Sequence, residues 1–526
     1  MQFKREISLC GLLMIGIGSI IGSGWLFGPL YAAQIAGPGA MVSWIIGGVL
    51  MIIVALTFAE LGSAFPIAGS MVQVAQYSHG PLVSFIIGWL VWISSISVAP
   101  VETMAIIQYA GNYVPGLVTK VNNSTVMTGF GMSMSAIVLF LMCLLNYFGA
   151  RFFSISNNII TFIKLIMPFA TAFLLIAIDF HTANFYSAQS GGFQPYGWHG
   201  ILAALPLGGV IYSLLGANNI LQIAAETKNP QRNIPLALIG AIAFCAVTYF
   251  ILQFAFIGSI NPVNLVKGWA NLSFPGDSGP FAGILAALGL GWFVAILYVD
   301  AIISPFGTGL IYIGATARVN YGLSKIGFFH KSFEKLTNRG VPLVAIIINY
   351  IVGLILFLPF PGWQSLVGFV ISSFILSYII GPIALVALRK TRANQPRPFR
   401  LPFHWFVSLL TFYVCNLMVF WTGWQTVYHM MLAILIGVVF FIFYVFRQKE
   451  NIWAKQWRVS WWLIPYLVGI SIISYCGTFG NGHNYIPFGW DFLIVGIFSI
   501  IIFILAAKYV ETTHASVYTG INTKSA

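Results

Sequence analysis

The sequence predicts an all-α polytopic membrane protein with about fourteen spans. Composition is the first reason. Of 526 residues, 7% are charged and 59% hydrophobic, and the mean hydropathy is +0.91. Soluble domains carry roughly 25% charged residues, far more than this chain offers to water. Periodicity is the second reason. The apolar runs are continuous and about twenty residues long, enough to cross the hydrocarbon as helices, and they lack the alternation of barrel strands. Charge placement is the third. With the N-terminus inside, twenty-one of the twenty-four Lys and Arg residues fall on the inner side, Lys120 and Lys267 fall outside, and Lys164 lies within a span. This positive-inside asymmetry predicts a multi-pass cell-membrane protein with both termini cytoplasmic. It also accounts for the net charge of +13 without a nucleic-acid partner.

The first apolar segment covers about Leu9–Ala33 and follows Lys4 and Arg5. It is too long for a signal-peptide core and has no small-residue cleavage site, so it reads as a retained first span. Spans 2 to 5 are expected near residues 41–61, 81–113, 130–149 and 158–178, with an amphipathic stretch Phe65–His79 and a polar outer loop Pro115–Gly129 between them. Spans 6 to 10 are expected near 201–225, 234–257, 281–314, 341–358 and 366–387, with a short helix in the basic segment Ala315–Gly340. A linker rich in Arg and Pro, 389–404, precedes four further spans within 405–510, near 405–424, 427–446, 461–479 and 488–507, and a cytoplasmic tail 511–526. The expected organisation is a core, 1–388, of two repeats, 9–178 and 201–388, followed by the four additional helices.

Two spans are written unlike the others. Span 1 contains Gly16-Ile17-Gly18-Ser19-Ile20-Ile21-Gly22-Ser23-Gly24-Trp25. Small residues let helices touch in lipid, and they also let a helix open so that freed N–H and C=O groups face a cavity. Span 6 reads Tyr212-Ser213-Leu214-Leu215-Gly216-Ala217-Asn218-Asn219, a poor helix at membrane depth. Each opens a group of five spans, one from the inside and one from the outside, so the two groups are inverted. Matched interruptions in two halves point to the central site of a secondary transporter. The expected breaks are Ile20–Gly24 and Tyr212–Asn218.

These residues resemble a known family. Gly18-Ser19-Ile20-Ile21-Gly22-Ser23-Gly24 is similar to the first-helix motif of the amino acid–polyamine–organocation transporters. Similar cytoplasmic motifs follow: Ala59-Glu60-Leu61-Gly62 with Pro66, Glu226 with Asn229-Pro230-Gln231-Arg232-Asn233-Ile234-Pro235, and Ala317-Arg318. Gly24-Trp25-Leu26-Phe27, Tyr77-Ser78-His79-Gly80 and the run Gly289–Pro305 resemble the branch of bacterial aspartate–proton symporters. The resemblance implies a LeuT-type five-plus-five inverted repeat with four additional C-terminal helices. It implies that a substrate α-carboxylate meets amides at Gly22, Ser23 and Gly24, and that the α-ammonium meets carbonyls near Ile20 and from Tyr212 and Ser213 to Leu215. Gly216 and Asn218 complete the expected substrate site. A half-helix N-terminus, with its free N–H donors and partial positive charge, suits the carboxylate independently of the family. Tyr212 stands where some relatives carry a gating tryptophan.

Three charges lie at membrane depth: Glu102, Lys164 and Asp300. A mid-bilayer lysine is costly unless it faces water, finds a partner or loses its proton. Lys164 therefore reads either as a tether to backbone carbonyls or, as some proton-coupled relatives imply, as a group standing in for a bound cation. Glu102, beside Pro100, is either a helix-bridging acid or a proton carrier. Asp300 is either a partner of Lys164 or a proton carrier, and Asp300, Ser304 and Thr308 share one helical face. Glu60 and Glu226 sit at span ends and suit gating pairs with loop arginines. Trp25, Trp89, Trp92, Trp461 and Trp462 read as interfacial anchors or packing.

The five cysteines form no disulfide or metal pattern, and His79 and His429 have no ligand partner at useful spacing. No nucleotide motif or catalytic triad is present, so no catalytic residue, metal or cofactor is expected. The leading expectation is proton-coupled symport of an amino acid, an acidic one such as aspartate. The alternative is an amino acid or polyamine exchanger in which Glu102 and Asp300 recognise a cation.

Overall fold

Glycine and proline decide where the long apolar segments of this chain break, and the breaks organise the fold. The structure is a computed structural model and describes residues 5, 7–67, 70–121, 124–148, 150–187, 191–273, 279–337, 341–447 and 457–510. The tail 511–526 and the cations Lys4, Arg339, Lys449, Lys455 and Lys524 lie outside the described residues.

Helix α1 (Leu9–Ile20) is capped by Ser8, whose side chain accepts from the Gly11 amide, and it stops before Ile21. Helix α2 (Gly24–Ala36) resumes after Ser23. A tight turn at Gly37–Gly39, with Gly37 at φ 61°, leads into α3 (Ala40–Ala64). Helix α4 (Ser70–Ala110) is continuous except for a kink at Gly80 (φ 73°), so residues 70–79 of the expected amphipathic stretch Phe65–His79 form its first part, ahead of the kink. The outer loop holds a two-stranded antiparallel hairpin, β1 (Val118–Val121) and β2 (Ser124–Met127), which the sequence reading did not foresee. Helices α5 (Gly129–Tyr147) and α6 (Ala150–Ile178) follow.

Expected span 6 is three pieces: α7 (Gly197–Leu207), α8 (Val210–Leu214) and α9 (Asn219–Gln222). The expected break from Tyr212 is therefore corrected. Tyr212 and Ser213 are helical, and the chain opens at 215–218 and also at Gly208–Gly209. Left-handed Gly209 (φ 76°) and Gly216 (φ 128°) are the cause, since residues with a Cβ avoid those conformations. Helix α10 (Pro230–Gly258) starts at a proline, as helices prefer. Expected span 8 is also corrected: α11 (Pro280–Ala287) ends before Gly289 (φ 76°), and α12 (Gly291–Lys325) continues past the expected end at 314 into the basic segment, where a separate short helix was expected. Helices α13 (Leu343–Leu356), α14 (Trp363–Tyr378) and α15 (Ile380–Thr391) complete the first part. Helices α16 (His404–Trp421), α17 (Trp424–Arg447), α18 (Leu463–Cys476) and α19 (Trp490–Lys508) lie beyond the linker.

Among the described residues, eleven helical stretches are long and apolar enough to cross a bilayer. Expected spans 1, 6 and 9 do not reach that length as single helices, because two are broken and α13 has only 14 residues. The most apolar window of α4 is 89% buried and that of α14–α15 100%, which places these helices at the centre. Helix α4 packs against α12, α14, α5 and α15, while α10 lies along α3 and α1. Helix α6 turns Phe162 and Phe173 outward, an apolar surface that suits lipid. The last four helices clasp the centre: Trp89 Nε1 donates to Ala433 O (2.9 Å), and His79 Nε2 lies 3.1 Å from Ala506 O. Trp25 and Trp462 are fully buried and Trp89 and Trp92 nearly so, which makes them packing residues.

Candidate substrate and coupling site

The two breaks meet back to back. A Cβ on Gly216 would lie 2.6 Å from Ser19 O and 2.9 Å from Ile20 N, so only glycine permits this approach. A Cβ on Gly24 would lie 2.9 Å from Ser213 Cα, which brings α8 against the first turn of α2. Ile20, Gly22, Ser23, Gly24, Tyr212, Ser213 and Gly216 are thus gathered in one place, with Leu215 in the extended turn between α8 and α9.

A carboxylate already sits on this break. The Ser23 N–H donates to Glu102 Oε2 at 2.8 Å, and the Tyr212 hydroxyl donates to Glu102 Oε1 at 2.8 Å. A Cβ on Gly22 would lie 2.6 Å from Glu102 Oε1 and 3.0 Å from Thr308 Oγ1. The amide end of α2 therefore faces an acid supplied by α4, and that acid is fully buried. Helix N-termini hold anions in this way through free N–H groups and the helix dipole.

Lys164 lies on the other side of the same break. Its ammonium donates to Gly18 O (3.0 Å) and to Thr308 Oγ1 (2.6 Å). Thr308 in turn donates toward Ile21 O (2.9 Å), and the Tyr249 hydroxyl reaches Ile20 O (3.3 Å). One buried cation therefore joins α6 to the end of α1 and to α12. Of the carbonyls expected to meet a substrate ammonium, those around Ile20 are engaged in this conformation, Gly18 O by Lys164, Ile20 O by Tyr249 and Ile21 O by Thr308.

Asp300 is buried on α12 two turns before Thr308, and neither of its carboxylate oxygens nor Ser304 Oγ has a hydrogen-bond partner. Among the described residues it forms no ion pair with Lys164, so a fixed Lys164–Asp300 bridge is not how this lysine is held. Asn218 Oδ1 accepts from the Tyr378 hydroxyl at 3.2 Å, while its Nδ2 is unpaired.

Aromatic side chains close the site. Phe27 packs against Tyr109 and Trp363 at centroid distances of 5.3 and 5.1 Å, and Tyr212 meets Trp363 edge-on at 5.7 Å. Trp363 Nε1 donates to Ser23 Oγ at 2.9 Å, pinning α14 to the break. Sequence reading missed Trp363, Tyr249 and Tyr378, because an aromatic on an apolar helix carries no local mark of a polar partner elsewhere.

At the basic end of the helices, Glu60 is fully buried among arginines. It accepts from Arg389 Nε (2.8 Å) and Nη2 (2.5 Å) and from the Leu401 amide (2.7 Å), with Arg397 Nε at 3.4 Å. Glu226 lies 3.6 Å from Arg318, and Ile7 pairs as an isolated bridge with Thr227 beside it. Both acids expected to form arginine pairs do so. Among the described residues no group of three or more His, Cys, Asp or Glu side chains could hold a metal ion.

A family model described as amino acid permease matches residues 7–441. A glutamate/serine transporter of Bacillus subtilis (strain 168) is 38% identical over 517 residues, covering 96% of this chain and 94% of that one. An aspartate–proton symporter of the same organism is 35% identical over 519 residues, covering 98% of both chains. A branched-chain amino acid permease of that organism is 26% identical over 463 residues, covering 86% and 94% respectively.

Proposed function

The chain belongs to the amino acid permease family, and from that premise we propose that it is a proton-coupled symporter of an acidic amino acid. The observation that carries the reading is the Glu102 carboxylate on the Ser23 amide at the break between α1 and α2. A substrate α-carboxylate and Glu102 compete for one donor. Two carboxylates at such a site cannot both stay ionised without a large penalty, so a substrate that displaces Glu102 favours its protonation. Proton and substrate then travel together.

Lys164 supplies the second element. Its bridge from α6 to Gly18 and Thr308 holds the core closed while the amine is charged, and release of a proton frees those helices to separate. The breaks are the hinge of an inverted-repeat core, 1–388, with 405–510 as a buttress. The charge asymmetry supports a cytoplasmic location for the Glu60 and Glu226 clusters and for both termini. The glutamate/serine transporter and the aspartate–proton symporter among the relatives support an acidic substrate, and Lys164 with the α2 amides offsets its extra charge.

Uptake of radiolabelled aspartate, glutamate and serine into liposomes containing the purified protein, with an inward proton gradient, tests the reading. Accumulation that collapses when a protonophore is added supports it. Exchange without a gradient, measured by counterflow and insensitive to the protonophore, supports the exchanger reading, which the unpaired carboxylate of Asp300 favours.

A further inference from the structure

A cavity of about 790 Å³ lies far from the helix breaks, where the ends of α15 and α19 meet the start of α16 and the linker folds across them. Its lining includes five strong cations: Arg389, Lys390, Arg397, Arg400 and Lys508. Among the described residues no acidic side chain lines it. Glu60, behind the cavity, engages Arg389 and Arg397. The exposed cations Lys390, Arg400 and Lys508 have no acidic partner within ion-pair distance among the described residues. Burial and the neighbouring Arg389 and Arg400 press Arg397 below its ordinary guanidinium value, against the pull of Glu60. The cavity thus carries more positive charge than the described acidic residues offset.

Its other wall is apolar, and that wall continues into an exposed apolar surface. Trp405 and Ile504 line the cavity and are 44% and 49% exposed. Below Ile504, α19 exposes Ile497, Ile500 and Ile501 along the same face, and Phe403 and Phe406 flank the start of α16 at 85% and 67% exposure. Helix α16 begins with no side-chain cap, so its first N–H groups add to the positive field. The cavity therefore sits at the height where apolar helix faces end and charge begins, as at a headgroup layer.

We propose that this cavity binds the headgroup of an anionic phospholipid of the cytoplasmic leaflet, with its phosphate among Lys390, Arg400 and Lys508 and its acyl chains along Ile504 and Trp405. A basic pocket between helix ends on the cytoplasmic side is suited to this class of ligand. A soluble anion would use the cations but leave the apolar wall unexplained.

The test uses the full chain in phosphatidylcholine nanodiscs, titrated with phosphatidylglycerol, with bound lipid counted by native mass spectrometry. Lys390→Gln, Arg400→Gln and Lys508→Gln are combined in one variant, since all three side chains are exposed and outside the Glu60 cluster. Each cation near a membrane surface contributes enough that the triple variant should bind phosphatidylglycerol roughly a hundredfold more weakly. Lys331→Gln with Lys335→Gln, exposed cations elsewhere on the same side, should leave binding unchanged. Inorganic phosphate should not displace the lipid. Equal binding by the triple variant, equal loss in the control pair, or displacement by inorganic phosphate would each overturn the proposal, the last by assigning the cavity to a free anion.

Discussion

Lys164 and Glu102 approach the same break from opposite sides, one on its carbonyls and one on an amide. Each therefore gives a different prediction. Lys164→Ala should abolish gradient-driven accumulation in liposomes while leaving counterflow measurable. Lys164→Arg should fail as well, because a guanidinium does not release its proton. Accumulation by Lys164→Ala with an unchanged pH profile would assign coupling to Glu102 or Asp300 alone, and Asp300→Asn in the same assay chooses between them. Ser23→Leu should eliminate substrate binding, since a branched side chain replaces the hydroxyl that Trp363 holds. Gly24→Val removes binding too, but its Cβ also meets the Ser213 backbone, so thermal melting should show lost stability with it. The Ser23 N–H survives the Ser23→Leu change, but a branched side chain hinders approach to it, and losing that hydrogen bond to a charged group costs about 1.5–3 kcal/mol, or roughly 10- to 150-fold in affinity. Normal binding by Ser23→Leu would move the carboxylate site elsewhere.

At the scale of elements, the broken helices and the buried arginine cluster hold different parts of the molecule. Glu60 ties the end of α3 to the end of α15 and to the linker, and its 0% exposure leaves no water to replace a lost partner. Glu60→Gln should destabilise the protein by about 3–5 kcal/mol, read as a lowered melting temperature in detergent, because two arginines lose their counter-charge. A melting temperature equal to the native one would show that the cluster is solvated. The first break was legible in the sequence because four glycines within nine residues have no reason to sit in a plain span. The second was legible only in outline. Asn218 and Asn219 marked the region, but Tyr212 and Ser213 form a helical turn, and Gly208–Gly209 opens the chain earlier than polarity alone indicated. Glycine at positive φ leaves no periodic trace, and the same blind spot hid the interruption at Gly289 within expected span 8. The position of Glu102 was legible and its partner was not, since a contact across 79 residues is a property of packing.

Across the whole molecule, the paired breaks lie among buried residues beneath an aromatic layer of Phe27, Tyr109, Tyr212 and Trp363. Orientation has a direct check. In a cysteine-free background, a cysteine at Val263 should react with an impermeant maleimide only from outside, and one at Arg400 only from inside; the reverse pattern would invert the topology. In the proposed cycle, substrate and Glu102 compete for the Ser23 amide, with a proton as arbiter. Equilibrium binding of the transported amino acid across pH, for the native protein and Glu102→Gln, tests it most directly. A protonated Glu102 releases the amide, so native affinity should rise as pH falls, by up to about tenfold per pH unit for one linked proton. Glu102→Gln should bind with little pH dependence. A Glu102→Gln protein that binds substrate with the native pH dependence would rule out that competition.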